Sequence, residues 1–164
     1  MVLAEKNRSE TFFHYIFNYP GRHAEIYGTL IFLGLVIYFL LMWAVGALHV
    51  IELRLLNIFI LAGGIYGALN QYKRTHRGEV NYFNALTIGI ATSVIGVSTF
   101  VLFLFIYLLI DEDFMAMLQR MEPMGKYLNP YIATYAVWIE GAFSGLIATF
   151  IMCNSMRTKP ATKL

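Results

Sequence analysis

Apolar residues come in four long runs separated by short polar breaks, over residues 26–50, 56–71, 83–110 and 131–153. A hydrocarbon core of ~30 Å takes ~20 helical residues to cross. The second run reaches that length only with the shoulder at 51–55 counted. The pattern predicts an all-α, polytopic membrane protein, a bundle of four transmembrane helices with short interfacial helices. Residues 1–25 read as a cytoplasmic, aromatic-rich juxtamembrane segment, 26–156 as the transmembrane domain and 157–164 as a cytoplasmic tail.

The breaks add detail. Phe12, Phe13, Tyr15, Phe17 and Tyr19 precede the first run, and rings of this kind favour the headgroup layer. A docking surface is the sharper reading of that stretch and a membrane anchor the plainer one, which is preferred. The brief turn at 49–54 makes the first two spans an antiparallel hairpin. In the break at 111–129, Asp113 is a plausible N-cap, and Phe114, Met117, Leu118 and Met121 follow at helical spacing, a short amphipathic helix ended by Pro123. Asn129 and Pro130 then form a helix start, cap and first residue respectively.

Small residues mark three spans. In the second, Gly63 with Gly67 and Gly64 with Ala68 lie four apart, which lets a neighbouring helix approach closely. In the third, Ala85, Gly89 and Ser93 repeat at the same interval, and Thr92, Ser98 and Thr99 carry hydroxyls able to bond back to their own backbone. Gly141 and Gly145 form a like pair in the fourth. Packing within one chain is the plainer reading of these faces, and self-association the sharper one.

Composition agrees with the membrane reading. The hydrophobic share is 59% and the charged share 13%, against ~45–50% and ~25% in soluble domains. A net charge of +2 argues against a nucleic-acid partner. Lys6, Arg8, Arg22, Lys73, Arg74, Arg77, Arg157, Lys159 and Lys163 fall on alternate breaks, leaving Arg54, Arg120 and Lys126 for the others. Nine against three places both termini and the loop at 72–82 in the cytoplasm. The polar first dozen residues lack the pattern of a cleaved leader, so the first span is expected to be a retained insertion signal. The single cysteine, Cys153, permits no disulfide within the chain.

One acid stands out. Glu140 lies near the middle of the fourth run, ~14 Å from either boundary at 1.5 Å per residue. An ionised carboxylate is costly there, so the group is expected to face the bundle interior, pair, or stay protonated. Ser144 is one turn further along, and Tyr66 or Ser93 are candidate neighbours at similar depth. Glu140 is either a proton- or cation-handling group or a carboxyl that holds helices in register. The absence of a second intramembrane acid, of an intramembrane Lys or Arg and of a span-breaking Pro favours the structural role.

Other chemistry is thin. Met115, Met117, Met121 and Met124 crowd one break, and thioethers bind Cu(I). No His or Cys joins them, and Met fills apolar faces readily. His14, His23, His49 and His76 are scattered without metal-ligand spacing. No nucleophile elbow or phosphate-binding glycine loop occurs. No cofactor or metal is expected, and enzymatic activity is not.

The Arg77–Gly78 loop, Tyr82 and Phe83 with Ala85 and Gly89 opening the third span, the acidic exit at Asp111 to Phe114, and Glu140, Gly141 and Gly145 before a basic tail together carry a resemblance. Over residues 25–157 the chain resembles the bacterial integral membrane proteins grouped as domain of unknown function 4199. That resemblance implies a four-helix protein of the inner membrane and brings no activity or functional residue with it.

The expectation is therefore a non-enzymatic accessory or interaction subunit of the bacterial cytoplasmic membrane, in contact with lipid and with other membrane proteins or itself. The alternative is a small transporter or proton-coupled permease using Glu140. The residues singled out are Glu140 and Ser144, with Gly63, Gly64, Gly67, Gly89, Gly141 and Gly145 for helix packing.

Overall fold

Two asparagines start helices by the same device. Asn81 Oδ1 accepts the Phe83 N–H at 3.2 Å, and Asn129 Oδ1 accepts the Ile132 N–H at 2.9 Å with Pro130 in the first turn. The computed structural model describes residues 20–46, 56–75, 81–121 and 125–156. These form α1 (Pro20–Val45), α2 (Leu56–Thr75), α3 (Tyr82–Ile110), α4 (Glu112–Met121), a 3-10 turn (Gly125–Tyr127) and α5 (Pro130–Ser155). Among the described residues there is no strand. The aromatic segment, the hairpin turn at 49–54, the core of the basic loop and the tail lie outside them.

The helices begin and end for local reasons. α1 starts six residues before its apolar run and stops at Val45, where Gly46 takes a left-handed φ of 68° that favours glycine. α3 and α4 are separated by the single residue Asp111. Its Oδ1 accepts the Phe114 N–H at 2.9 Å, so the cap of α4 is Asp111 and not the expected Asp113. The reason is that α3 runs to Ile110, leaving only Asp111 with non-helical backbone to do the capping.

Pairs of close residues fix the directions. Gly34 faces Ile60, Gly64 faces Ile31 and Gly67 faces Tyr27, so α1 and α2 are antiparallel. Gly28 meets Ile95, Gly96 meets Ile31 and Phe39 meets Phe103, so α1 and α3 are parallel. Gly141 meets Val97, Gly145 meets Ser93 and Gly89 meets Thr149, so α5 runs against α3. The four long helices alternate up and down. α2 and α3 form the short diagonal, each touching both α1 and α5, which occupy the outer corners.

α1, α3 and α5 are long and apolar enough to cross a membrane. Over its described residues α2 does not qualify, because Asn57, Asn70, Gln71, Lys73 and Arg74 dilute its apolar centre. Ile31 and Ile65 sit at the middle of the core, essentially inaccessible. At the end near α4, Phe39 is ringed edge-on by Phe103, Tyr107 and Phe114, with centroids 5.1–6.0 Å away.

Candidate functional site on the outward face of α5

The inward face of α5 is built from small residues in a fixed register with α3. Gly141 lies against Val97, Gly145 against Ser93 and Thr149 against Gly89, a step of four on each helix. Ridges of this spacing interdigitate most closely where glycine removes the side chain. Cys153 and Ala85, one further step along each helix, are both buried.

Hydroxyls buried along this seam turn back on their own helices. Thr92 Oγ1 donates to the Ile88 carbonyl at 2.7 Å, Ser93 Oγ to Ile90 at 3.0 Å, and Thr149 Oγ1 to Gly145 at 2.7 Å. Thr99 does the same to Ile95 at 2.8 Å. Ser98 behaves differently: its Oγ accepts the Trp138 Nε1–H at 3.0 Å, a bond between α3 and α5. The Ser98 hydroxyl, able by its spacing to bond back to its own helix, thus takes a donor from another helix, and nothing in the spacing of Trp138 announces that role.

The register decides where Glu140 goes. Successive residues of a helix differ by ~100°, so with Gly141 and Gly145 on the seam, the carboxyl-bearing residue is turned off it. Glu140 is exposed, and Ser144 is half-buried. Of the options open to the carboxyl, the bundle interior is the one the structure does not take. Tyr66, one expected neighbour, is itself more than half exposed. Ser93, the other, meets Gly145 and not the turn that carries Glu140.

The remaining singled-out glycines divide. A Cβ on Gly64 would collide with Ile31, on Gly67 with Tyr27, and on Gly89 with Thr149. Gly63 is exposed, and a Cβ there would meet nothing within 4 Å. The face α2 gives to α1 therefore uses Gly64 and Gly67, three apart, rather than the Gly63–Gly67 pair.

Other sequence candidates are absorbed into structure. Met115 is buried in the core beside the ring cluster, while Met117 is half-buried on α4. Among the described residues no three His, Cys, Asp or Glu side chains converge as a metal site would require. His23 is almost fully buried near the start of α1, a position its isolation in the sequence gave no means to foresee.

Beyond the seam, Asp111 is the polar junction of the fold. Its Oδ2 accepts the Tyr107 hydroxyl at 2.8 Å while Oδ1 caps α4. The Phe114 N–H, and after it the Tyr107 hydroxyl, hold this carboxyl below the usual carboxylate range.

Comparison with known proteins found no matching family model, curated protein or solved structure.

Proposed function

We propose that this chain is a multi-pass protein of the bacterial cytoplasmic membrane that crosses it four times, and that it acts as a non-enzymatic interaction subunit. Its termini are cytoplasmic on this reading, and α2 completes its crossing with the residues that precede it. Alternation of the four long helices supports an even number of crossings. Arg22, Lys73 and Arg74 lie at one end of that arrangement and Arg120 and Lys126 at the other, as the positive-inside rule asks. The resemblance to domain of unknown function 4199 fits the same setting.

The observation that carries the interaction role is the division of polarity across α5. Its inner face is closed by Gly141, Gly145 and Thr149 against α3, with buried hydroxyls spent on their own backbones. Its outer face bears Glu140. An acid at that depth is rare in a helix that meets lipid alone, and its place on the outward face supports contact with another protein.

Gentle extraction and reconstitution test this reading. The chain is expected to run above its monomer mass in native-mass measurement, and its proteoliposomes to show no proton flux above empty vesicles. A flux that Glu140→Gln abolishes would install the transporter alternative instead.

A further inference from the structure

The two ends of the bundle differ in charge. Arg22, Lys73 and Arg74 stand where α1 begins and α2 finishes, and among the described residues Glu25 is the one acid beside them. At the other end Asp111, Glu112 and Asp113 outnumber Arg120 and Lys126. α1 and α3 start at the basic end while α2 and α5 finish there, so their dipoles oppose and the side chains set the field. Among the described residues, no ion pair joins Arg22 to Glu25 or occupies Lys73 or Arg74.

Two of these cations head a face that is apolar beneath them. With a turn of ~100° per residue, Leu33 and Leu40 return to the side of α1 that carries Arg22, and both are exposed. On α2, Tyr66 and Phe59 return to the side of Lys73, and both are exposed as well. The antiparallel register, with Gly67 at Tyr27 and Gly64 at Ile31, brings Arg22 level with Lys73 to within a residue. Both cations are half-buried. Their stems lie along the protein and their charged ends reach the rim, as long basic side chains do at an apolar boundary.

An occupant that satisfies such a face has an anionic head and a hydrocarbon tail. A soluble anion meets the cation and leaves Leu33 or Tyr66 bare. A lipid without net charge covers the apolar side chains and brings the cation no counter-charge. An anionic phospholipid does both, with its phosphate at the rim and an acyl chain along the ~16 Å that separate Arg22 from Leu33 at 1.5 Å per residue.

We propose that the end of the bundle bearing Arg22, Lys73 and Arg74 binds anionic phospholipid of the leaflet it faces, with phosphates at Arg22 and Lys73 and acyl chains on the apolar faces beneath them. The inference rests on the membrane reading given above and names the class of lipid that reading leaves open. Basic clusters at the cytoplasmic ends of membrane helices attract anionic headgroups in this way.

Lipid titration of the full chain in neutral detergent, followed by native mass spectrometry, tests it. Phosphatidylglycerol is expected to form adducts at a lower concentration than phosphatidylcholine with the same acyl chains. Arg22→Gln and Lys73→Gln should each weaken the phosphatidylglycerol adduct about fivefold, the equivalent of the ~1 kcal/mol a basic residue gains near an anionic surface. Phosphatidylcholine binding should not change, which also shows that the variants are folded. Joint replacement of Arg120 and Lys126 by Gln, at the other end, should alter neither lipid. Equal binding of the two lipids by the natural chain would overturn the assignment. So would a full preference that survives loss of both Arg22 and Lys73, or one that falls as far in the Arg120 and Lys126 variant.

Inorganic phosphate at millimolar concentration should not displace phosphatidylglycerol, since it offers nothing to Leu33 or Tyr66; displacement would mean that the anion alone is recognised and the lipid is not. Reporter fusions at Gly78 and Gly125 separate the two levels of argument. If they fall on one side of the membrane, the spanning reading fails and the lipid site with it. If they fall on opposite sides while the preference for phosphatidylglycerol is absent, the lipid site alone is wrong.

Discussion

Gly145 rests directly on Ser93. A Cβ built on that glycine would stand 2.5 Å from Ser93 Cβ and 2.6 Å from its Oγ, inside any separation real atoms hold. The same helices repeat the arrangement one turn away in each direction, at Gly141 with Val97 and at Thr149 with Gly89. This ladder sets the spacing of α3 and α5, and through it the direction in which every other residue of α5 points. Glu140 is outside because Gly141 and Gly145 are inside.

Enlarging this contact should therefore be costly. Gly145→Ala is expected to destabilise the bundle by about 1–3 kcal/mol, the usual cost of overpacking a close contact. Gly63→Ala is the control, since a Cβ there meets nothing within 4 Å. It should be neutral or stabilise by up to ~1 kcal/mol through helix propensity. Unfolding of the two variants in detergent, followed by circular dichroism, compares them; equal midpoints would refute the ladder.

The bond from Trp138 to Ser98 gives the same seam a polar tie at 3.0 Å. Trp138→Phe and Ser98→Ala should each cost roughly 0.6–2 kcal/mol, the range for side-chain hydrogen bonds between helices in membranes. Because both remove one interaction, the double variant should cost little more than either alone. Additive losses in the cycle would show that the two groups act separately.

Much of the architecture could be read from the chain because its signals are local. The apolar runs gave the long helices, and the Asn129–Pro130 pair gave the start of α5 to the residue. The four-residue repeats on α3 and α5 were each visible alone, yet neither states which neighbour it meets. Nor could the orientation of Glu140 be read. In a soluble helix the polar face marks the outside, but a helix as apolar around its circumference as α5 gives no such mark. Only the register of Gly145 on Ser93 supplies one. Ser98 shows a related limit: a hydroxyl that can bond its own backbone does so unless a donor such as Trp138 arrives from another helix, and sequence spacing does not reveal that arrival.

Phe39 should be the most sensitive large side chain at the α4 end of the bundle. It is nearly buried and sits edge-on to Phe103, Tyr107 and Phe114 at once. Phe39→Ala leaves a cavity between α1, α3 and α4 and is expected to cost about 3–5 kcal/mol. Phe39→Leu, which keeps most of the volume, should cost less than half of that. Thermal midpoints of the two variants in the same detergent check the order, and a reversal would mean that the ring cluster is not load-sharing.

Attachment of α4 to α3 should depend on pH through Asp111. The Phe114 N–H and the Tyr107 hydroxyl both donate to its carboxylate, which lowers its affinity for a proton relative to the unfolded chain. A carboxyl with a lowered folded value contributes its full stabilisation above the ordinary carboxylate range, and loses it as pH falls through that folded value. Hydrogen exchange at the amides of residues 112–118 is therefore expected to be slow and constant, once corrected for intrinsic rates, from neutrality down to the usual carboxylate range. Protection should then fall at lower pH. Asp111→Asn retains a capping oxygen and has nothing to titrate, so its protection should not vary with pH. Asp111→Ala should exchange fast throughout. A natural protein whose α4 amides ignore acid as the Asn variant does would show that the Asp111 carboxylate does not anchor the helix.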